Sequence, residues 1–154
     1  MGTQTRRTVI ASVDFSDHGE RILSEALLVA RASGGILHVI HVAAGEPILA
    51  GYDKEDISDF TRNARAGELT REHERVRRLA ETLTDTTGVD VHPLVVMGPT
   101  AETLLTAIDE LDASHIVLGT HGHGGMHHLL FGSVAEEIVR RSPVPVVLVP
   151  VTKR

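Results

Sequence analysis

Gly119-Thr120-His121-Gly122-His123-Gly124-Gly125-Met126-His127-His128-Leu129-Leu130-Phe131-Gly132-Ser133 decides how this chain folds. It follows Ser114-His115-Ile116-Val117-Leu118, a short apolar run of strand character, and precedes a segment with helical periodicity. The glycines therefore occupy a strand-to-helix turn. Glycine lets backbone amides approach an anion without a Cβ in the way. A helix starting near Ser133 adds free amides and the positive end of its dipole. In doubly wound sheets, ligands bind at the carboxyl ends of the strands, at the switch point. These parts together make a phosphate cradle. A plainer reading also fits: Ser133 and Glu136 have S-x-x-E spacing, so the serine would only cap the helix on a surface loop.

The flanking chain alternates strand and helix. Thr8 to Val13 is a β-branched run ending at Asp14. Asp17 and Glu20 have capping-box spacing ahead of Ile22, Leu23, Ala26, Leu27 and Ala30, and Gly34-Gly35 stops that helix. Ile36 to Val42 is a second strand, followed by the longest irregular connection, Ala43 to Ile57. Ser58 to about Asp85 reads as a long, mostly wet helix carrying Phe60, Ala64, Val76, Leu79, Ala80 and Leu83, with Gly67 as a weak point. Val89 to Val96 is a third strand, placed at an edge by Pro93. Thr100 to about Leu111 is a helix packed through Ala101, Leu104, Leu105 and Ile108. The last helix starts at Ser133 with Val134, Ile138 and Val139 inward, and Val144 to Val149 is the fifth strand. The order β-α-β-α-β-α-β-α-β predicts one α/β domain, a parallel sheet with helices on both faces.

Composition narrows the function. Aromatics are 3% of the 154 residues, with no Trp, so base-stacking platforms are not expected. The formal charge is −6 and no basic stripe is present, which weighs against a nucleic-acid partner. No cysteine means no disulfide, thiolate site or thiol nucleophile. No apolar run reaches the length of a membrane span, and Met1 to Thr5 has no apolar segment behind it. The expectation is a cytoplasmic protein without membrane contact.

Two familiar phosphate motifs do not fit. A P-loop needs a lysine, and the chain's two lysines are Lys54 and Lys153. A Rossmann fingerprint belongs after the first strand, where the sequence is Val13-Asp14-Phe15-Ser16. The spacing does match another pattern, G-x2-G-x9-G-[ST], at Gly119, Gly122, Gly132 and Ser133. In this the chain resembles the nucleotide-binding branch of the universal stress protein family. The resemblance extends to Val13-Asp14-Phe15-Ser16, His41-Val42, Gly98-Pro99 and Ser142-Pro143-Val144-Pro145. It implies a five-stranded parallel sheet of order 3-2-1-4-5, with ATP, alone or with Mg²⁺, across the ends of strands one and four. By position, Asp14 with the backbone of Ser12 and Val13 would meet the ribose or adenine, and Val42 the adenine edge. Gly119, Thr120, His121, Gly122, His123, Gly124 and Gly125 would wrap ribose and phosphates. Gly132, Ser133 and Val134 would hold phosphates by amides and hydroxyl. The resemblance further implies a homodimer through the last strand, Val146 to Val149.

Read from its own chemistry, Asp14 at the end of a central strand suits a ribose hydroxyl or exocyclic amine. Its alternative is capping of the first helix. Of the ten histidines, His127 and His128 read as solvated, His121 and His123 lie in the phosphate segment, and His38, His41 and His115 read as packed or hydrogen-bonded. Metal binding is disfavoured without cysteines or a rigid scaffold. Rapid phosphoryl transfer needs Lys, Arg or Mg²⁺ at the phosphates, and Arg140 and Arg141 lie two turns down the last helix. The expectation is a regulatory ATP binder with slow or no hydrolysis and no catalytic residue. The alternatives are a slow Mg²⁺-dependent ATPase, with Asp14 or a loop histidine orienting water, and a dimeric scaffold.

Overall fold

Thr8–Ser12 forms the first and central strand, β1. Its Val9, Ile10 and Ala11 are wholly buried, because side chains alternate between two covered faces. The computed structural model describes residues 6–16, 18–43, 59–121 and 131–151, with 59–66 described by backbone alone. Helix α1 (Gly19–Ser33) buries Ile22, Leu23, Ala26 and Ala30 at helical spacing. It stops at Gly34, whose φ of 62° lets its amide turn back onto the Ala30 and Arg31 carbonyls. Then follow β2 (Ile36–Ala43), α2 (Asp59–Thr87), β3 (Val91–Met97), α3 (Thr100–Glu110), β4 (Ala113–Gly119), α4 (Ser133–Arg141) and β5 (Val146–Val149). All pairings are parallel and the strand order is β3-β2-β1-β4-β5. The chain leaves β1 for β2 on one side and later returns to pair β4 on the other, so the order reverses between β1 and β4.

Helices α1 and α2 cover one face, over Val9, Ala11, Leu37, Val39 and Val117. Helices α3 and α4 cover the other, over Ile10, Ile40, Ile116 and Leu118. Pro93 lies on an edge strand, as its missing amide requires. Gly67 does not break α2, which runs through it. The α2 surface is ionic: hydrogen bonds first from Arg77 and then from Arg78 hold the Glu74 carboxyl at about 2.

Three local expectations change. His18, without a side-chain cap bond, is the N-cap of α1, so the Asp17–Glu20 pair is out of phase with the helix start, and Asp17 itself lies outside the described residues. Val139 is 50% exposed. The short α4 packs through Ala135 and Ile138, about one turn apart, and Val139 sits about 100° from Ile138, on the far side of Ala135. The N-cap of α4 is Gly132, and Ser133 is the first helical residue with no cap bond, so Ser133 is not a capping serine. The connection from residue 44 to residue 58 lies outside the described residues.

Where β2 meets the edge strand, His38 and His92 are register partners with rings stacked 5.1 Å apart at 20°. Burial, then the charge of His92, lowers the His38 pKa from its ordinary 6.5 against an upward pull from Asp90. The folded chain therefore resists protonating His38, and below 6.5 the unfolded chain binds more protons. Stability from this site is full above that pH, falls on acidification toward the folded value, and then levels off. Urea midpoints are expected to be lower at about pH 5 than at about pH 7.5, and His38→Gln is expected to shrink the difference. An undiminished difference in the variant would place its source elsewhere.

Candidate nucleotide site

The carboxyl ends of β1 and β4 lie side by side, because Ala11 pairs with Val117 two residues before Val13 and Gly119. From β1 the chain passes through Val13 (4% exposed) into the turn at Asp14. The Val13 amide donates to the Ile40 carbonyl at 3.0 Å, and its carbonyl lies 2.9 Å from His41 Nδ1. Both Val13 backbone groups are thus engaged within the protein. The Asp14 carboxylate accepts the Ser16 amide at 3.0 Å, so it shapes its own turn and does not cap α1. Val42 is half-buried near the end of β2.

On the β4 side, Gly119 closes the strand against two neighbours. A Cβ there would lie 2.9 Å from Val151 Cγ2 and 3.2 Å from Ile22 Cδ1. Close packing thus accounts for this glycine, beside any approach to an anion. Thr120 is buried and all its polar groups are used. Its amide donates to the Val149 carbonyl at 2.9 Å, its carbonyl accepts the Gly132 amide at 2.7 Å, and its hydroxyl accepts the Val151 amide at 3.1 Å. That hydroxyl also lies 3.2 Å from His121 Nδ1. Thr120 therefore fastens the start of α4 to the ends of β4 and β5.

The Gly132–Thr120 bond sets the N-terminus of α4 against the end of β4. Gly132 spends its amide there and its carbonyl on Glu136. The amides of Ser133 and Val134 belong to the first turn, where a helix offers no internal partner. Ser133 is exposed and Val134 partly covered. Gly122, His123, Gly124 and Gly125 lie outside the described residues, as do His127 and His128. Arg140 and Arg141 point their charges elsewhere: Arg140 pairs with Glu136, and Arg141 with Glu102 and Glu137. The donor set is amides, a hydroxyl and an imidazole, with a carboxylate across the gap. That set suits a phosphate at one end and hydroxyls or an amine at the other.

His38, His41 and His115 are packed or hydrogen-bonded, as the sequence suggests. Among the described residues, no three His, Asp or Glu side chains are grouped to hold a metal ion. An apolar groove between β3 and α3, floored by Leu94, Val96, Ala107 and Leu111, lies on the far edge of the sheet, and its charged lining residues are Glu102 and Glu110, which disfavour an anion. What the sequence does not reveal is the part played by α2 and Phe15. Phe15 has φ 59°, its ring lies 4.5 Å from the His41 ring, and Arg75 sits 4.2 Å over it.

In this doubly wound α/β protein the α4 N-terminus and the Asp14 turn lie at the carboxyl ends of neighbouring strands, at the switch point, where ligands of such folds bind. The universal stress protein family model matches residues 5–150, and the chain belongs to that family. A universal stress protein of Thermus aquaticus is 34% identical over 143 residues, spanning 93% of this chain and 98% of the relative. The solved UspA of Lactobacillus plantarum superposes with a TM-score of 0.77 at 19% identity, covering 93% of this chain and 97% of that one. A universal stress protein of Archaeoglobus fulgidus, solved in complex with dAMP, gives 0.56 at 23% identity, covering 93% and 96%. Among the described residues, no helix is long and apolar enough to cross a membrane.

Proposed function

We propose that the chain is a cytoplasmic, ATP-binding regulator of the stress-response type that holds its nucleotide with slow or no hydrolysis. One observation carries the reading: the N-terminus of α4, whose N-cap Gly132 has no side chain to offer its first-turn amides, is fastened to the end of β4, beside the turn after β1 that carries Asp14. In this reading the amides of Ser133 and Val134 and the Ser133 hydroxyl meet phosphate oxygens. Gly132, its own amide engaged, supplies the turn. His121 and the segment Gly122 to Gly125 complete the wrap. Asp14 receives ribose hydroxyls or the adenine amine, with the backbone near Ser12, Val13 and Val42 walling the base. The dAMP complex of the Archaeoglobus fulgidus relative supports an adenine nucleotide.

Slow turnover follows from the donor set. Amides stabilise the charge of bound phosphate, but rapid transfer needs further cations and a group that orients the nucleophile. Arg140 and Arg141 are committed to glutamates on α3 and α4. A homodimer through β5 fits the same picture: β5 is a sheet edge, and the exposed Val139 lies on the helix that packs against it.

The test is ATP binding by the purified chain. At a hundredfold excess over Kd, ATP is expected to add about 2.7 kcal/mol, raising Tm by roughly 5–10 °C. Asp14→Ala is expected to weaken ATP about tenfold to a hundredfold, the loss of a charged hydrogen bond. No thermal shift and no co-purifying nucleotide by mass spectrometry would favour the scaffold. Phosphate release that turns over rapidly and vanishes in Asp14→Ala would favour the ATPase.

A further inference from the structure

The turn after β1 is gripped from outside its own strand. Phe15 adopts φ 59°, a left-handed conformation that a bulky side chain keeps only where its surroundings over-determine it. Those surroundings come from two other elements. Arg75 on α2 places its guanidinium carbon 4.2 Å over the Phe15 ring. His41 on β2 tilts its ring against Phe15 at 44°, with centroids 4.5 Å apart. His41 is 8% exposed, and its Nδ1 lies 2.9 Å from the Val13 carbonyl. A carbonyl only accepts, so Nδ1 carries the proton and donates it. Its Nε2 lies 3.6 Å from Glu72 Oε1, one turn before Arg75 on the same helix.

The residues on both sides of Asp14 are therefore fixed by His41, and α2 fixes both His41 and Phe15. Helix α2 does not need these contacts to dock. It buries Val76 and Ala80, with Leu79 and Leu83 packed beside them. Neighbouring arginines serve the helix surface, since Arg77 and Arg78 bind Glu74. Arg75 turns to the Phe15 ring instead.

We infer that Phe15, His41 and Arg75 are positioning residues, a clamp through which α2 sets the affinity of the Asp14 turn for the nucleoside end of a nucleotide; the inference rests on the nucleotide reading above. None of the three touches the ligand. They act by holding the Asp14 carboxylate at one place, so that binding need not order the turn.

The experiment is ATP titration of the full chain by calorimetry, with Arg75→Ala, Arg75→Lys, Phe15→Ala and Phe15→Tyr in two backgrounds, parent and Asp14→Asn. The alanine variants are expected to weaken ATP about tenfold in the parent background. Arg75→Lys and Phe15→Tyr, which keep a cation and a ring, are expected to stay within about threefold. In the Asp14→Asn background the alanine changes are expected to cost less than about twofold, because the clamp acts through that carboxylate. Unchanged ATP affinity in both alanine variants overturns the clamp. So does an equal loss in both backgrounds, or a lysine variant no better than alanine. Should Phe15→Ala not fold, Arg75→Ala, on the exposed side of α2, decides alone. A parent chain that binds no ATP overturns the nucleotide reading itself, and the clamp with it.

Discussion

Gly35→Ala is expected to cost about 3 kcal/mol and to lower Tm by roughly 6–12 °C. A Cβ at Gly35 would lie 2.1 Å from the Arg7 carbonyl oxygen and 3.0 Å from its carbon. Neither side can give way cheaply. The Arg7 carbonyl accepts the Ile36 amide at 2.9 Å, and the next residue pair, Thr8 and Ile36, opens the β1–β2 ladder. Gly35 in turn donates to the Ala30 carbonyl at 2.9 Å, closing α1. Relief would pull the first residues of the central strand away from its neighbour. Overpacking a core with a methyl group usually costs about 1–3 kcal/mol, and a collision with held backbone belongs at the upper end. The neighbouring Gly34 is the control. It has the left-handed φ of 62°, yet nothing lies within 4 Å of a Cβ there. Gly34→Ala is expected to cost about 1 kcal/mol, the price of the dihedral alone. Thermal denaturation of the two variants should separate them clearly. A Gly35→Ala chain melting within about 2 °C of the parent would show that the close approach does not exist.

The contrast between Gly34 and Gly35 also shows where the sequence is readable. Gly34-Gly35 announces a helix stop, because a local backbone conformation is written in local residue types. Which glycine is indispensable depends on Arg7, a residue 28 positions away in the chain that the fold brings into contact. The same division runs through the molecule. The β/α alternation and the edge position of Pro93 follow from short-range pattern, and both stand in the structure. Val139 is misjudged because helical periodicity gives a stripe but not its width, and α4 packs through Val134, Ala135 and Ile138 while Val139 stays half-exposed. At the candidate site, the placement of Asp14 just after β1, of Gly119 at the end of β4 and of Ser133 at the start of α4 is legible from spacing. The clamp is not. No residue pattern marks Phe15 for a positive φ, and the charged face of α2 reads as ordinary solvated surface. Thr120 lies between these cases. Its sequence position suggests a ligand contact, whereas its amide, carbonyl and hydroxyl are spent on Val149, Gly132 and Val151.

Ser133→Pro is expected to weaken ATP about a hundredfold while leaving Tm within about 2 °C of the parent. The separation arises because helix initiation and phosphate binding ask different things of this residue. Ser133 is the first helical position of α4, where proline is well tolerated: its fixed φ matches the helix, and the amide it lacks has no internal partner. A proline also constrains the residue before it to extended backbone. Gly132 already has φ −70° and ψ 162°, so it meets that constraint without moving. The Gly132 amide keeps its bond to the Thr120 carbonyl, so α4 stays fastened to the end of β4. What disappears is the one amide and one hydroxyl that the proposed site assigns to the phosphate. A hydrogen bond to a charged group is worth about 1.5–3 kcal/mol, so losing both donors, with part of the loss made up by water, gives about a hundredfold. Ser133→Ala removes the hydroxyl alone and is expected to weaken ATP about tenfold. The graded pair, measured by calorimetry beside melting curves, distinguishes anion binding from a role in the helix start alone. If Ser133 only stabilised the helix start, alanine would lower Tm and proline would spare ATP affinity. If the α4 amides hold the phosphate, proline is the more damaging change for the ligand and the harmless one for the fold.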